Sequence, residues 1–132
     1  MGTRSLTYVY DGTEPVVCMY RQFDGYPSGH GSELAEFLFD GKLTNGIPFG
    51  STDKIFNGMG CLAAQMVAAF KEDVGGFYLL PILKDHDSWQ DYEYHVYEDK
   101  VVVFSGYGKD NNIIFNGPWT DFAEFCSEDY VA

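Results

Sequence analysis

The sequence predicts one α+β domain, a mainly antiparallel sheet with about three helices packed on one face. Three observations carry that expectation. The chain has 132 residues, 45% of them hydrophobic and 17% aromatic, enough for a packed core without disulfide or metal staples. Several runs have strand composition and are separated by hairpin-length turns. Three other segments repeat apolar residues at helical spacing. No internal repeat and no second domain is visible.

The first two strands are Thr3 to Tyr10 and Pro15 to Gln22, joined by Asp11-Gly12-Thr13-Glu14, where Asp-Gly marks a hairpin. Alternation puts Arg4, Leu6 and Tyr8 on one face and Thr7 and Val9 on the other. In the second strand Val17, Met19 and Arg21 share a face, while Cys18 and Tyr20 take the other. Simple register brings Arg4 and Arg21 near one another at the open end. A shared carboxylate such as Asp24, or an anionic ligand, would hold them there.

Ser32 is the expected N-cap of a first helix, with Leu34, Phe37 and Leu38 as its apolar stripe and Asp40-Gly41 as its end. Residues 41 to 57 read as an ordered loop or short turns, rich in glycine yet carrying Leu43, Ile47, Phe49, Ile55 and Phe56. The longest helix starts at Asn57-Gly58, follows Leu62, Met66, Ala69 and Phe70, and is stopped by Gly75-Gly76. Strands are expected at Phe77 to Leu83, Tyr92 to Tyr97, Val101 to Tyr107 and Asn112 to Phe115. Glu98-Asp99-Lys100 makes a tight turn, and Gly106 to Asn111 a looser one. A last helix opens at Gly117-Pro118, with Trp119, Phe122, Ala123 and Cys126 as its stripe.

Charge narrows the function. Twenty acidic residues against eight basic ones give a net −12, which argues against binding nucleic acid or an anionic membrane directly. From Asp85 onward there are eleven acids and two lysines, so that part carries −9. Both arginines of the chain, Arg4 and Arg21, lie in its first 21 residues. No apolar run reaches membrane-span length, and the N-terminus has no signal-peptide core. Cys18, Cys61 and Cys126 are odd in number and flanked by apolar residues, the pattern of buried thiols in a reducing cytoplasm.

The densest chemistry lies in Tyr20-Arg21-Gln22-Phe23-Asp24-Gly25-Tyr26-Pro27-Ser28-Gly29-His30-Gly31. This stretch follows an apolar run and precedes a helix, so it reads as a loop that brings polar groups to one point. Gly29-His30-Gly31 before Ser32 would present free N–H groups to an anion, or serve only as a turn needing glycine dihedrals. A Cys61–His30 nucleophilic pair is disfavoured by the apolar helical setting of Cys61. Asp85-His86-Asp87 lacks the spaced partners of a metal site. No nucleotide-binding glycine motif is present, and no cofactor or catalytic residue is assigned.

Met1 to Leu6, Tyr20 to Gly31, and Asn57-Gly58-Met59-Gly60-Cys61-Leu62-Ala63-Ala64-Gln65 together resemble a family of small phage and prophage proteins. The resemblance covers most of the chain and is most specific at Asp-Gly-Tyr-Pro. It implies a phage origin and a setting in the host cytoplasm, and marks Arg4, Gln22, Asp24, Tyr26 and Asn57 as motif positions.

The expected function is capture of a small anionic ligand, such as a nucleotide, by a homo-oligomer that sequesters a host immune signal. Its expected ligand-binding residues are Arg4, Tyr20, Arg21, Gln22, Asp24, Tyr26, His30 and Asn57. Arginines would bind phosphate, Tyr20, Phe23 or Tyr26 would stack on a base, and Gln22, Asp24 or Asn57 would read polar edges. The alternative is an interaction protein whose acidic surface mimics nucleic acid and blocks a host nuclease or defence protein. A nucleotide-processing enzyme ranks third, since no nucleophile or metal cluster stands out.

Overall fold

The computed structural model describes residues 2–46, 54–82, 90–106 and 112–128. Strands β1 (Ser5–Asp11) and β2 (Glu14–Arg21) are followed by a π-helical turn over Pro27–Gly31 and helix α1 (Ser32–Leu38). Short strands β3 (Lys42–Thr44) and β4 (Ile55–Asn57) lead to α2 (Gly58–Phe70) and β5 (Phe77–Leu79). Strands β6 (Tyr92–Val96), β7 (Val101–Ser105) and β8 (Asn112–Gly117) precede α3 (Trp119–Glu128). The architecture is α+β. Six strands form one sheet in the order β5-β2-β1-β6-β7-β8, and β3 and β4 form a separate parallel pair.

The β1–β2 hairpin forms as expected, with Ser5 opposite Arg21 and Tyr8 opposite Cys18. The sheet is mainly antiparallel, as expected, with one parallel pairing. β5 pairs with the outer side of β2, whereas β6 lies parallel to β1. β5 and β6 thus lie on opposite sides of the β1–β2 pair, and Leu80 packs on the face that carries Leu6, Tyr8 and Cys18.

Alternation divides the sheet into two faces. Val9, Met19, Tyr94, Val96, Val101 and Val103 enter one core with Leu34, Ala35 and Leu38 of α1, Leu62 and Met66 of α2, and Phe122 and Cys126 of α3. All three helices thus cover the same face. The opposite face holds a smaller cluster of Leu6, Tyr8 and Cys18, edged by Tyr10 and Tyr20.

Several boundaries differ from the sequence reading for local reasons. Ser32 is not the N-cap: the π-helical turn runs directly into α1 from Gly31. At the end of α1 it is Asp40, at φ 59°, that takes the left-handed conformation. Gly41 is needed for space, because a Cβ there would collide with the Phe56 ring. Lys54 Nζ caps that end, donating to the carbonyls of Glu36, Phe37 and Phe39 at 3.3, 3.1 and 2.9 Å. α2 stops at Phe70, ahead of the glycine pair, and Ala69 faces solvent; Met59 and Ala63 complete its buried stripe. β3 and β4 fall in the stretch read as loop. β5 ends at Leu79 and not near residue 83, and β7 at Ser105. Ala123 is exposed, so α3 buries Phe122 and Cys126.

Asp85-His86-Asp87, Ile47, Pro48, Phe49 and most of the Gly106–Asn111 turn lie outside the described residues. Among the described residues no helix is long and apolar enough to cross a membrane, and no group of three His, Cys, Asp or Glu is placed to hold a metal ion.

Candidate functional site

The Tyr20–Gly31 stretch is split between core and surface. His30 is fully buried. Its Nε2 lies 2.7 Å from Thr7 Oγ1 and its Nδ1 lies 3.2 Å from Arg21 Nη1. A guanidinium only donates, so Nδ1 is the bare acceptor nitrogen and Nε2–H donates to Thr7. The imidazole is neutral. Burial, with the Arg21 charge beside it, lowers its pKa from 6.5 to about 3. Tyr94 meets the ring edge-on at 5.0 Å, and Phe70 lies 5.4 Å away.

Arg21 serves this hub. Its Nε donates to Phe23 O at 2.6 Å, its Nη2 pairs with Glu33 at 3.1 Å, and its guanidinium sits 4.9 Å from the Phe77 ring centre. The carboxylate partner is therefore Glu33 and not Asp24. The glycines around the hub are close-approach positions: a Cβ on Gly25 would strike Ser5, and one on Gly31 would strike Cys126 Sγ. Tyr94 Oη donates to Gly25 O at 2.7 Å, locking the loop onto β6.

The two arginines do not meet as expected. Ser5 opposes Arg21, so alternation turns Arg4 to the other face. The Leu6–Tyr20 pair lies on that face. Asp91 joins them: its Oδ2 accepts from Arg4 N at 3.2 Å and its N–H donates to Arg4 O at 2.8 Å. Tyr20 is partly exposed, with the Tyr78 ring at 6.0 Å.

The loop forms the rim. Gly25 N–H donates to Thr3 O at 2.9 Å, laying Gly2–Arg4 against Gln22–Gly25. Asp24 is exposed and held at φ 59°, with Tyr26 Oη donating to its Oδ1 at 3.3 Å. Phe23 is 52% exposed. Asn57 belongs elsewhere: its Oδ1 accepts from Gly46 N–H at 2.7 Å and fixes the turn after β3. Of the eight sequence candidates, Arg21 and His30 meet in the hub, Asp24 and Tyr26 contact each other in the loop, Arg4 and Tyr20 fall by alternation on the opposite face, Gln22 follows β2 with its N–H on Gly76 O, and Asn57 stands apart. Cys61 and His30 do not pair; Cys61 Sγ donates to Gln65 Oε1 at 2.9 Å.

A cleft of about 390 Å³ between the end of α1 and the start of α3 is lined by Leu38, Phe39, Lys42 and Trp119 among others, and by none of these candidates.

One constellation on the helix-free face was not read from the sequence. His95 Nε2 lies 3.1 Å from Glu93 Oε1, and its Nδ1 lies 2.6 Å from Tyr10 Oη. Gln90 Nε2 donates to Glu93 Oε2 at 3.0 Å. The Tyr97 ring stacks on Tyr10 at 4.4 Å and Tyr8 on His95 at 4.9 Å. Burial, and then the Tyr97 neighbour, raise the Tyr10 pKa; burial pushes the nearby Cys18 thiol up to about 11. Glu93-x-His95 was visible as a same-face pair in a strand. The parallel pairing of β6 with β1, which brings Tyr10 to it, was not.

Compared with known proteins, the chain matches no family model, no curated protein and no solved structure.

Proposed function

We propose that the protein binds a small anionic ligand, a nucleotide by class, on the sheet face formed by Arg4, Tyr20 and Gln22. What supports this reading is the alternation at the open end of the hairpin, which assigns Arg4 and Tyr20 to positions on one sheet face in a chain with few cations. Arg4 supplies charge-assisted hydrogen bonds to phosphate. Tyr20, with Tyr78 beside it, offers a stacking surface. Gln22 both donates and accepts toward a base edge, and Asp24, oriented by Tyr26, accepts from a ribose hydroxyl or an amino group. Arg21 and His30, expected to contact ligand, instead hold this face in shape from behind.

In this reading the protein works in the cytoplasm by holding its ligand. Sequestration of a host nucleotide signal is the role that the phage origin expected from the sequence motifs would give it. Assembly into a homo-oligomer is supported by exposed apolar residues on the two outer strands, Leu79 at 58% and Ile113 at 57%.

The second reading, an acidic decoy for a nucleic-acid-binding partner, is favoured by Asp121 and Glu124, which stand exposed on α3.

The test is mass spectrometry of small molecules released by heating protein purified from infected cells. A stoichiometric nucleotide supports the binder. A preparation free of small molecules but carrying a host protein through the acidic surface would replace it with the decoy.

A further inference from the structure

The Glu93–His95–Tyr10 chain runs along the same sheet face as Arg4 and Tyr20, from Glu93 opposite Leu6 and His95 opposite Tyr8 to Tyr10, six residues from Arg4 or roughly 20 Å along an extended strand. Its order is that of a nucleophile, a base and an orienting carboxylate. Glu93 Oε1 at 3.1 Å fixes the proton on His95 Nε2, so Nδ1 presents its lone pair to the Tyr10 hydroxyl at 2.6 Å. Gln90 holds the second oxygen of Glu93 at 3.0 Å. With the imidazole stacked on Tyr8, the three groups are preorganised on adjacent strands.

We infer that Tyr10 is a nucleophile that accepts an acyl group from an activated ester, with His95 as general base and Glu93 as the residue that positions it. In the step, Tyr10 Oη bonds to the acyl carbon and the bond from that carbon to the leaving oxygen breaks. The phenolic proton passes to His95 Nδ1, and the imidazolium held against Glu93 returns it to the leaving oxygen. No electrons are gained or lost overall. The ester is neutral or cationic, because the adjoining turns expose Asp11, Glu14, Glu98 and Asp99, which repel an anionic donor. The Gly12 N–H to Glu98 contact at 3.1 Å holds these turns together.

The experiment treats the full chain with p-nitrophenyl acetate and maps acetylated tyrosines by peptide mass spectrometry. Tyr78, 44% exposed and without a histidine partner among its described contacts, is the internal reference. Tyr10 is expected to acetylate at least about tenfold faster than Tyr78, and His95→Asn to remove that advantage. Glu93→Gln should remove most of the advantage of Tyr10 over Tyr78, because His95 loses the carboxylate that fixes its tautomer and orientation. Acetyl phosphate, an anionic donor, should react more slowly than the neutral ester. If His95→Asn fails to fold, the Tyr10 to Tyr78 ratio in the unaltered protein decides. Tyr10 labelling no faster than Tyr78, or unchanged in a folded His95→Asn variant, overturns the inference.

Discussion

His30 is a ligand candidate in the sequence and a buried strut in the structure, and its two nitrogens explain why. The guanidinium on Nδ1 can only donate, which leaves Nε2–H to donate to Thr7, so replacing either partner strands the other half of its bond. Thr7→Val keeps the side-chain shape and removes the acceptor of Nε2–H. It should cost about 1–3 kcal/mol, the range for an unsatisfied buried donor, measured by urea unfolding. The neutral imidazole also sets a pH dependence. An unfolded histidine takes up a proton below about pH 6.5, whereas the folded one holds out to about pH 3. Between those values the unfolded state binds more protons, so stability falls as pH falls, by up to about 1.4 kcal/mol per pH unit. NMR titration should show His30 neutral at pH 5; a ring that protonates near pH 6.5 contradicts the hub. Arg21→Met tests the same cluster. Glu33 is half-exposed and its ion pair with Arg21 is worth little. The lost donors to His30 and Phe23 O dominate, at roughly 1–3 kcal/mol.

Elements with a strong period were legible in the sequence, and their edges were not. The Asp-Gly hairpin and its face assignment follow from alternation alone. α2 follows from Leu62, Met66 and Phe70, but Ala69 was placed on the buried stripe because alanine fits either side of a helix. Met66→Ala should cost about 2–5 kcal/mol as a cavity in the core, whereas Ala69→Ser should stay within about 0.5 kcal/mol; thermal unfolding distinguishes the two. β3 and β4 were missed because three-residue strands have no period to detect. The π-helical turn was missed because the glycines of Pro27–Gly31 read as an anion site or as a turn needing glycine dihedrals, when Gly31 is there to admit Cys126 and Tyr94.

At the scale of the whole molecule, long-range pairing decides which residues can act together, and that was the illegible part. Nothing in the local sequence says that β6 lies parallel to β1, so the Glu93–His95–Tyr10 chain was invisible while each member was in plain view. The hairpin register was legible, yet its consequence for Arg4 and Arg21 is the reverse of the expected clamp, since opposed strands offer neighbouring positions to opposite faces. Arg21 and His30 stabilise the loop, and the proposed ligand contacts fall to Arg4, Tyr20 and Gln22. Calorimetric titration with a panel of nucleoside monophosphates, triphosphates and cyclic dinucleotides, run on the unaltered protein and on Arg4→Ala, tests this most directly. The account predicts saturable binding of at least one nucleotide, weakened by about 1.5–3 kcal/mol in a normally folded Arg4→Ala variant. Binding that survives Arg4→Ala unchanged, or a panel without any heat of binding, would contradict it.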